Sequence, residues 1–174
     1  MGYRGGRAVT LFERTLAEAT AERHRRQAGA NLLTRESATF ETNPMGLMRW
    51  YLHPDLEGPS TRSLYCHELE VPAGSRSGRL QCQGGVLHYV LEGEGYTDLD
   101  GVRHPWEAGD VIAIPIKERG VSYCHVNTGP GPARLLVVMP NLDSALGPEA
   151  GVELAVREQC PEFAHATDKP AKGN

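Results

Sequence analysis

The pattern of apolar and polar positions changes character near residue 60. From Thr10 to Gln27 there is no Gly or Pro, and Leu11, Phe12, Leu16 and Ala19 recur at helical spacing. This predicts an amphipathic helix, with Gly29 as its stop. Met48 to Leu52 reads as a short strand that His53-Pro54 ends. Beyond Gly58-Pro59-Ser60 the helical spacing is gone. Short β-rich runs follow, each bounded by Gly, Pro or Asp: Ser63–Val71, Val86–Leu91, Gly95–Leu99, Val102–Trp106, Val111–Ile114, Val121–Asn127 and Ala133–Met139. Regular short strands with turn signals between them predict an all-β sandwich or barrel. Asp100-Gly101 is a tight-hairpin signal, and Gly109-Asp110 and the stretch 128–132 are further turns. After Pro140 the pattern stops. Residues 147–160 are read as one short helix and 168–174 as a polar tail.

Composition narrows the class. The 174 residues are 40% hydrophobic and 23% charged, which is ordinary for a globular chain, and 20 Gly with 12 Pro suit a turn-rich β fold. No apolar run approaches the ~20 residues that span a bilayer, and Met1 to Gly6 carries no secretory pattern. Residues 1–35 hold seven Arg against three Glu, a net of +4. The overall charge of -4 therefore leaves -8 on the remainder. This reads as a solvated basic helix beside an acidic body rather than a nucleic-acid arm, and such an arm can also lie across an acidic neighbouring subunit. Cys66, Cys82, Cys124 and Cys160 show no metal-clip or redox spacing, so free thiols in a cytoplasm are expected. The organisation read from these features is a helix and N-terminal segment over 1–60, a β-barrel over 61–142 and a C-terminal extension over 143–174.

Three stretches carry a family pattern. They are Val71-Pro72-Ala73-Gly74; then His88-Tyr89-Val90-Leu91-Glu92-Gly93-Glu94-Gly95; then Gly109-Asp110-Val111-Ile112-Ala113-Ile114-Pro115 leading to Asn127. Over about 64–140 the chain resembles a cupin, a double-stranded β-helix or jelly-roll barrel. The segment 74–79 and the long N-terminal segment resemble the gentisate-dioxygenase-like cupins more than the sugar epimerases. The resemblance implies a pocket at one end of the barrel, where alternate strand residues converge. It also implies a divalent metal such as Fe, Mn, Ni or Zn, held by a His-x-His pair and a Glu from a first motif and a His from a second.

Carried over residue by residue, the His-x-His places fall on Leu80 and Cys82, the Glu place on Val86, and the second-motif His on Tyr123. All four usual ligand positions are substituted, and of the four only Cys82 is a good ligand type. His88 lies two residues after Val86 and His125 two after Tyr123, so strand parity puts both on the face of the lost ligands. His67 shares a face with Tyr65, Leu69 and Val71, opposite Cys66, Glu68 and Glu70 on the solvent side, and reads as a hydrogen-bonded barrel residue. His24, His53, His104 and His165 read as surface residues, Arg76 and Arg79 as a solvated loop, with contact to an anionic ligand at the pocket rim as the alternative, and Trp106 and Tyr96 as strand-surface or interface residues.

The expectation is one cavity faced by Cys82, His88, Tyr123 and His125, with His67 joining them and Leu80, Val86 and Val90 supplying apolar wall. Three readings follow. In the first, the chain acts on a small organic molecule, aromatic or carboxylate-bearing, by dioxygenase-like or isomerase-like chemistry, with an atypical metal shell drawn from Cys82, His88 and His125. In the second it is metal-free, His88 or His125 is a near-neutral general acid–base and Tyr123 a proton donor. In the third the barrel is a non-catalytic ligand-binding or partner module. A homodimer is expected, because small barrels leave a sheet edge to cover.

Overall fold

The computed structural model describes residues 9–142 and 155–163. Helix α1 (Leu11–Ala28) opens on a capping box: Thr10 Oγ1 accepts from Glu13 N, and the Glu13 carboxylate accepts from Thr10 N. Gly29 ends it in an extended conformation rather than a left-handed one. The need for glycine there is close approach, since a Cβ would sit 2.5 Å from Ser60 Cα where the chain passes residues 59–60.

Eleven strands follow: β1 (Thr39–Asn43), β2 (Gly46–Leu52), β3 (Leu64–Val71), β4 (Arg79–Cys82), β5 (Val86–Glu92), β6 (Glu94–Leu99), β7 (Val102–Glu107), β8 (Val111–Ile114), β9 (Val121–Asn127), β10 (Ala133–Pro140) and β11 (Ala155–Glu158). They form a six-stranded sheet, β1-β2-β3-β10-β5-β8, and a five-stranded sheet, β11-β4-β9-β6-β7, with antiparallel pairing between every pair of neighbours. The architecture is the expected all-β jelly-roll barrel with an N-terminal helix. Residues 155–158, expected within a helix, instead pair with β4 as a strand; the rest of that expected helix, the polar tail and His165 lie outside the described residues.

The core lies between the sheets, where Leu69, Val71, Val90, Val121 and Leu135 are almost wholly buried. Period-2 alternation puts Val86, His88 and Val90 of β5 inward and Leu87, Tyr89 and Leu91 outward. The Asp100-Gly101 hairpin is real: both residues have positive φ (51° and 84°), and Asp100 accepts from Ser122 N and Lys117 Nζ. Gly93 is fixed by its positive φ (92°) and by space, because a Cβ would sit 2.8 Å from Ala133 Cα. Asn127 binds the end of the barrel together. Its Nδ2 donates toward the carbonyls of Val71, Pro72 and Gly131, and its Oδ1 accepts from Gly129 N.

Candidate functional site

Strand register builds the site. Trp50, His67, Val137, His88 and Ile112 form one row across β2, β3, β10, β5 and β8. In the facing sheet Tyr123 lies between Leu80 and Leu99, and His125 lies beside Thr97. The sheets bring His88, Tyr123 and His125 into one ring cluster. Centroid separations are 4.5 Å for His88–His125, 5.3 Å for His88–Tyr123 and 5.5 Å for Tyr123–His125.

A cavity of about 230 Å³ adjoins this cluster. His67, His88, Tyr123 and Leu80 line it with Trp50, Met48, Leu69, Val137 and Met139. The turn between β1 and β2 (Asn43, Pro44 and Met45) and Val156 of β11 complete the wall. Of the residues expected at the pocket, Cys82, Val86 and Val90 do not line it. They pack into the core at 1%, 3% and 0% exposure, because a shared face fixes direction but not depth along the barrel. His125 lies outside the lining too, in ring contact with two residues that belong to it.

The polar atoms are unusual for an interior. The Nδ1 atoms of His67 and His88 and the Nε2 of His125 are buried with no hydrogen-bond partner among the described residues, although buried polar groups are nearly always paired. His67 is therefore not the fully hydrogen-bonded residue the sequence suggested. His125 is anchored at its other ring nitrogen: Thr97 Oγ1 lies 2.9 Å from Nδ1, and Trp106 Nε1 donates to the same hydroxyl at 3.1 Å. Ser77 holds the backbone of His125 through two further bonds. Trp106, expected at a surface, is thus a buried component of the site's support.

Burial sets the protonation states. It pushes His67 down to about 4 and His125 down to about 3, and His88 falls well below its usual value, with neighbouring His125 and His67 adding to the effect. The expectation of a near-neutral histidine fails for that reason, and all three rings are neutral at pH 7. Burial also raises the Tyr123 phenol and the Cys82 thiol.

Several surroundings differ from the sequence reading. Arg76 and Arg79 are not loosely solvated: Glu158 of β11 pairs with both at 2.9 and 3.1 Å, and Arg79 also meets Asp98 at 3.4 Å. Glu68, expected on the solvent side, is covered by Arg35, Arg134 and Tyr51 and is only 5% exposed. His53 joins an aromatic cluster with Trp50 and Tyr65 at 5.1 and 5.3 Å, and Trp50 in turn stands 4.3 Å from His67. Trp50 and His67 both lie on runs read as strands, but their proximity depends on the pairing of β2 with β3, which the sequence pattern does not specify. His24 and His104 are exposed as expected.

At the four positions to which the resemblance carries the family's metal ligands stand Leu80, Cys82, Val86 and Tyr123. Two offer no lone pair, and the thiol and phenol are both held protonated by burial. Among the described residues no group of three His, Cys, Asp or Glu is placed to hold an ion. The residues present do not fit the family's metal centre.

Two stacked sheets with an internal pocket at one end of the barrel define a double-stranded β-helix protein. Residues 67–139 match the family described as the cupin domain, and the barrel has the cupin fold. Similar solved structures include the polyketide cyclase RemF from Streptomyces resistomycificus (23% identity, 64% of this chain and 79% of that one, TM-score 0.52). Salicylate 1,2-dioxygenase from Pseudoaminobacter salicylatoxidans, in adducts with gentisate, aligns over 85% of this chain and 36% of its own at 17% identity and TM-score 0.52. Vicilin from Capsicum annuum aligns over 72% of this chain and 34% of its own at 16% identity and TM-score 0.55. These likenesses establish the fold. None of the curated proteins matches the chain.

Proposed function

We propose that this cupin binds a small, uncharged organic molecule with a flat apolar body and one or two hydrogen-bonding groups. The observation that carries this reading is the lining of the cavity: an apolar wall that includes Trp50, interrupted by two neutral imidazoles whose Nδ1 atoms have no partner among the described residues. About 230 Å³ suits a single substituted ring, since an apolar cavity of about 150 Å³ holds benzene. Among the described residues no Lys or Arg lines the cavity, and the nearby Arg76 and Arg79 are engaged by Glu158. This favours a neutral phenol-like or carbonyl compound over the carboxylate the sequence also allowed.

The groups offer hydrogen bonding. Neutral His88 accepts a hydrogen bond from a ligand hydroxyl, and Tyr123, held protonated, is the complementary donor. The donor set does not support a dioxygenase-like metal step. The four cysteines are free, which accords with a reducing compartment, and no helix among the described residues is long and apolar enough to cross a membrane.

The test is calorimetry with matched pairs of single-ring compounds, neutral phenols against the corresponding carboxylates. Neutral members should bind, His88→Leu should weaken binding by about tenfold or more through loss of a desolvated hydrogen bond, and Leu80→Trp should abolish it by filling the cavity. Tighter binding of the carboxylates, or unchanged binding in Leu80→Trp, would overturn the reading.

A further inference from the structure

Among the described residues, helix α1 has no fully buried residue and meets the body only near its C-terminal end, where Arg25 donates to the Pro59 carbonyl. Leu11, Phe12 and Leu16 are 76%, 70% and 52% exposed. An 18-residue helix with no packed face is marginal in water, because helices in proteins draw most of their stability from an apolar face against a partner. The same chain carries a second uncovered apolar surface on the outside of the six-stranded sheet. Leu87, Tyr89 and Leu91 of β5 are about two-fifths exposed, and Val111 of the edge strand β8 is 57% exposed. Register makes this surface continuous: Tyr89 stands beside Val111 on one side and Leu136 on the other, and Leu87 beside Val138. A monomer rarely leaves a contiguous apolar stripe of this kind open to water.

We infer that the two surfaces cover each other between copies: α1 of one protomer lies across the outer face of the six-stranded sheet of a second, and the exchange is reciprocal about a two-fold axis. Charge and dimensions select this occupant. Residues 1–35 carry +4 and the remainder -8, so the arm and the body attract between copies. On α1, Phe12, Leu16 and Ala19 share a face that continues into Arg23 and Arg26. From Phe12 to Arg23 is roughly 16 Å along the axis. Across the sheet, β8 and β5 carry the apolar stripe and β3, two strands beyond β5, carries the half-buried Glu70 on its outer face. From β8 to β3 is roughly 14 Å at strand spacing. A helix laid across the strands therefore sets Phe12 and Leu16 over Val111 and Tyr89 while Arg23 reaches Glu70. Reciprocity doubles the covered area, as a self-complementary two-fold contact requires.

The test uses the full chain and light scattering coupled to size exclusion, with sedimentation velocity across a dilution series. The wild type should be a dimer. Phe12→Glu with Leu16→Glu should weaken dimerisation by about 100-fold or more, since burying charge in a contact core opposes association, and Leu87→Glu with Tyr89→Glu should do the same. All four positions are exposed, and circular dichroism confirms that the barrel persists. Mixing the helix variant with the sheet variant should restore dimers, because that pair retains one intact helix-on-sheet contact. A monomeric wild type, or a dimer that neither pair of substitutions affects, overturns the inference. A dimer lost with the sheet variant but kept with the helix variant also overturns it, since the sheet face would then meet something other than α1.

Discussion

Thr97→Val removes one oxygen from the interior and changes almost nothing in shape. Thr97 is 0% exposed, and its hydroxyl serves two buried rings, the Trp106 indole at 3.1 Å and His125 Nδ1 at 2.9 Å. The indole N–H fills one lone pair of that oxygen. Among the described residues His125 Nδ1 is the other side-chain partner of the hydroxyl, so its proton goes there and His125 carries its own proton on Nε2. Valine strands the indole donor and the Nδ1 acceptor together. Each stranded buried group costs about 1–3 kcal/mol, and the added methyl recovers less than about 1 kcal/mol. The expected loss is about 2–4 kcal/mol in urea unfolding followed by tryptophan fluorescence. Thr97→Ser keeps the hydroxyl and removes a methyl, at about 1 kcal/mol. The ordering is diagnostic, because packing alone would make valine the milder change. Long-range proton–nitrogen NMR should show His125 protonated on Nε2 in the wild type and in Thr97→Ser. A valine variant as stable as the wild type, or His125 protonated on Nδ1, would refute the reasoning.

Three further outcomes follow from the same interior. Stability should fall as pH drops through the unfolded-state histidine range, since His67, His88 and His125 take up protons readily only when unfolded. Lowered folded-state values mean that the stabilisation is complete above about pH 7.5. It is lost with a slope that approaches about 4 kcal/mol per pH unit between about pH 6 and 4 for three protons. His125→Gln should reduce that slope by about one third in urea titrations at stepped pH, and an unchanged slope would mean that the ring titrates normally in the fold. Asn127→Ala should cost about 3–5 kcal/mol by leaving three carbonyls and Gly129 N short of a partner. Asn127→Asp should also destabilise, more at neutral than at acid pH, because a carboxylate would face three carbonyl oxygens; thermal melts at pH 5 and 7.5 check the order. Gly93→Ala should lower the melting temperature through positive-φ strain and contact with Ala133, and a melt equal to the wild type would show that the strands give way freely.

Period-2 alternation is local information, and it reached a definite distance into this molecule. It gave the direction of His88 from Val86 and Val90, and of His125 from Tyr123, because β5 and β9 are regular over those residues. Direction does not give depth. Val86, His88 and Val90 all point inward, yet only His88 meets the cavity while the two valines are sealed in the core. Depth also decides protonation, which is why histidines read as near-neutral catalysts are held neutral far below pH 7. Partners distant in sequence were invisible for a different reason. Trp106 supports His125 only through Thr97, across two strand pairings. Glu68 points away from the core but is closed over by Arg35 and Arg134, which arrive from elsewhere in the chain.

The strands that escaped the sequence pattern were β1, β4 and β11. Thr39–Asn43 is a polar edge strand without alternating burial, Arg79–Cys82 is four residues long and half polar, and Ala155–Glu158 is a short edge strand fastened by side chains. Such strands form because a neighbour offers unpaired backbone groups, and that offer is a property of the assembled sheet. It bears directly on the site. The turn that closes the β1–β2 hairpin, Leu80 of β4 and Val156 of β11 all lie in the cavity wall, so the least legible strands bound the most functional space. The barrel's regular strands hold the histidines in place, while the pieces added at its edges decide what can reach them. Substitutions at Met45 or Val156 should therefore change which ring fits while leaving the ring cluster of His88, Tyr123 and His125 intact. Ligand selectivity measured against an unchanged His125 tautomer would separate those two roles.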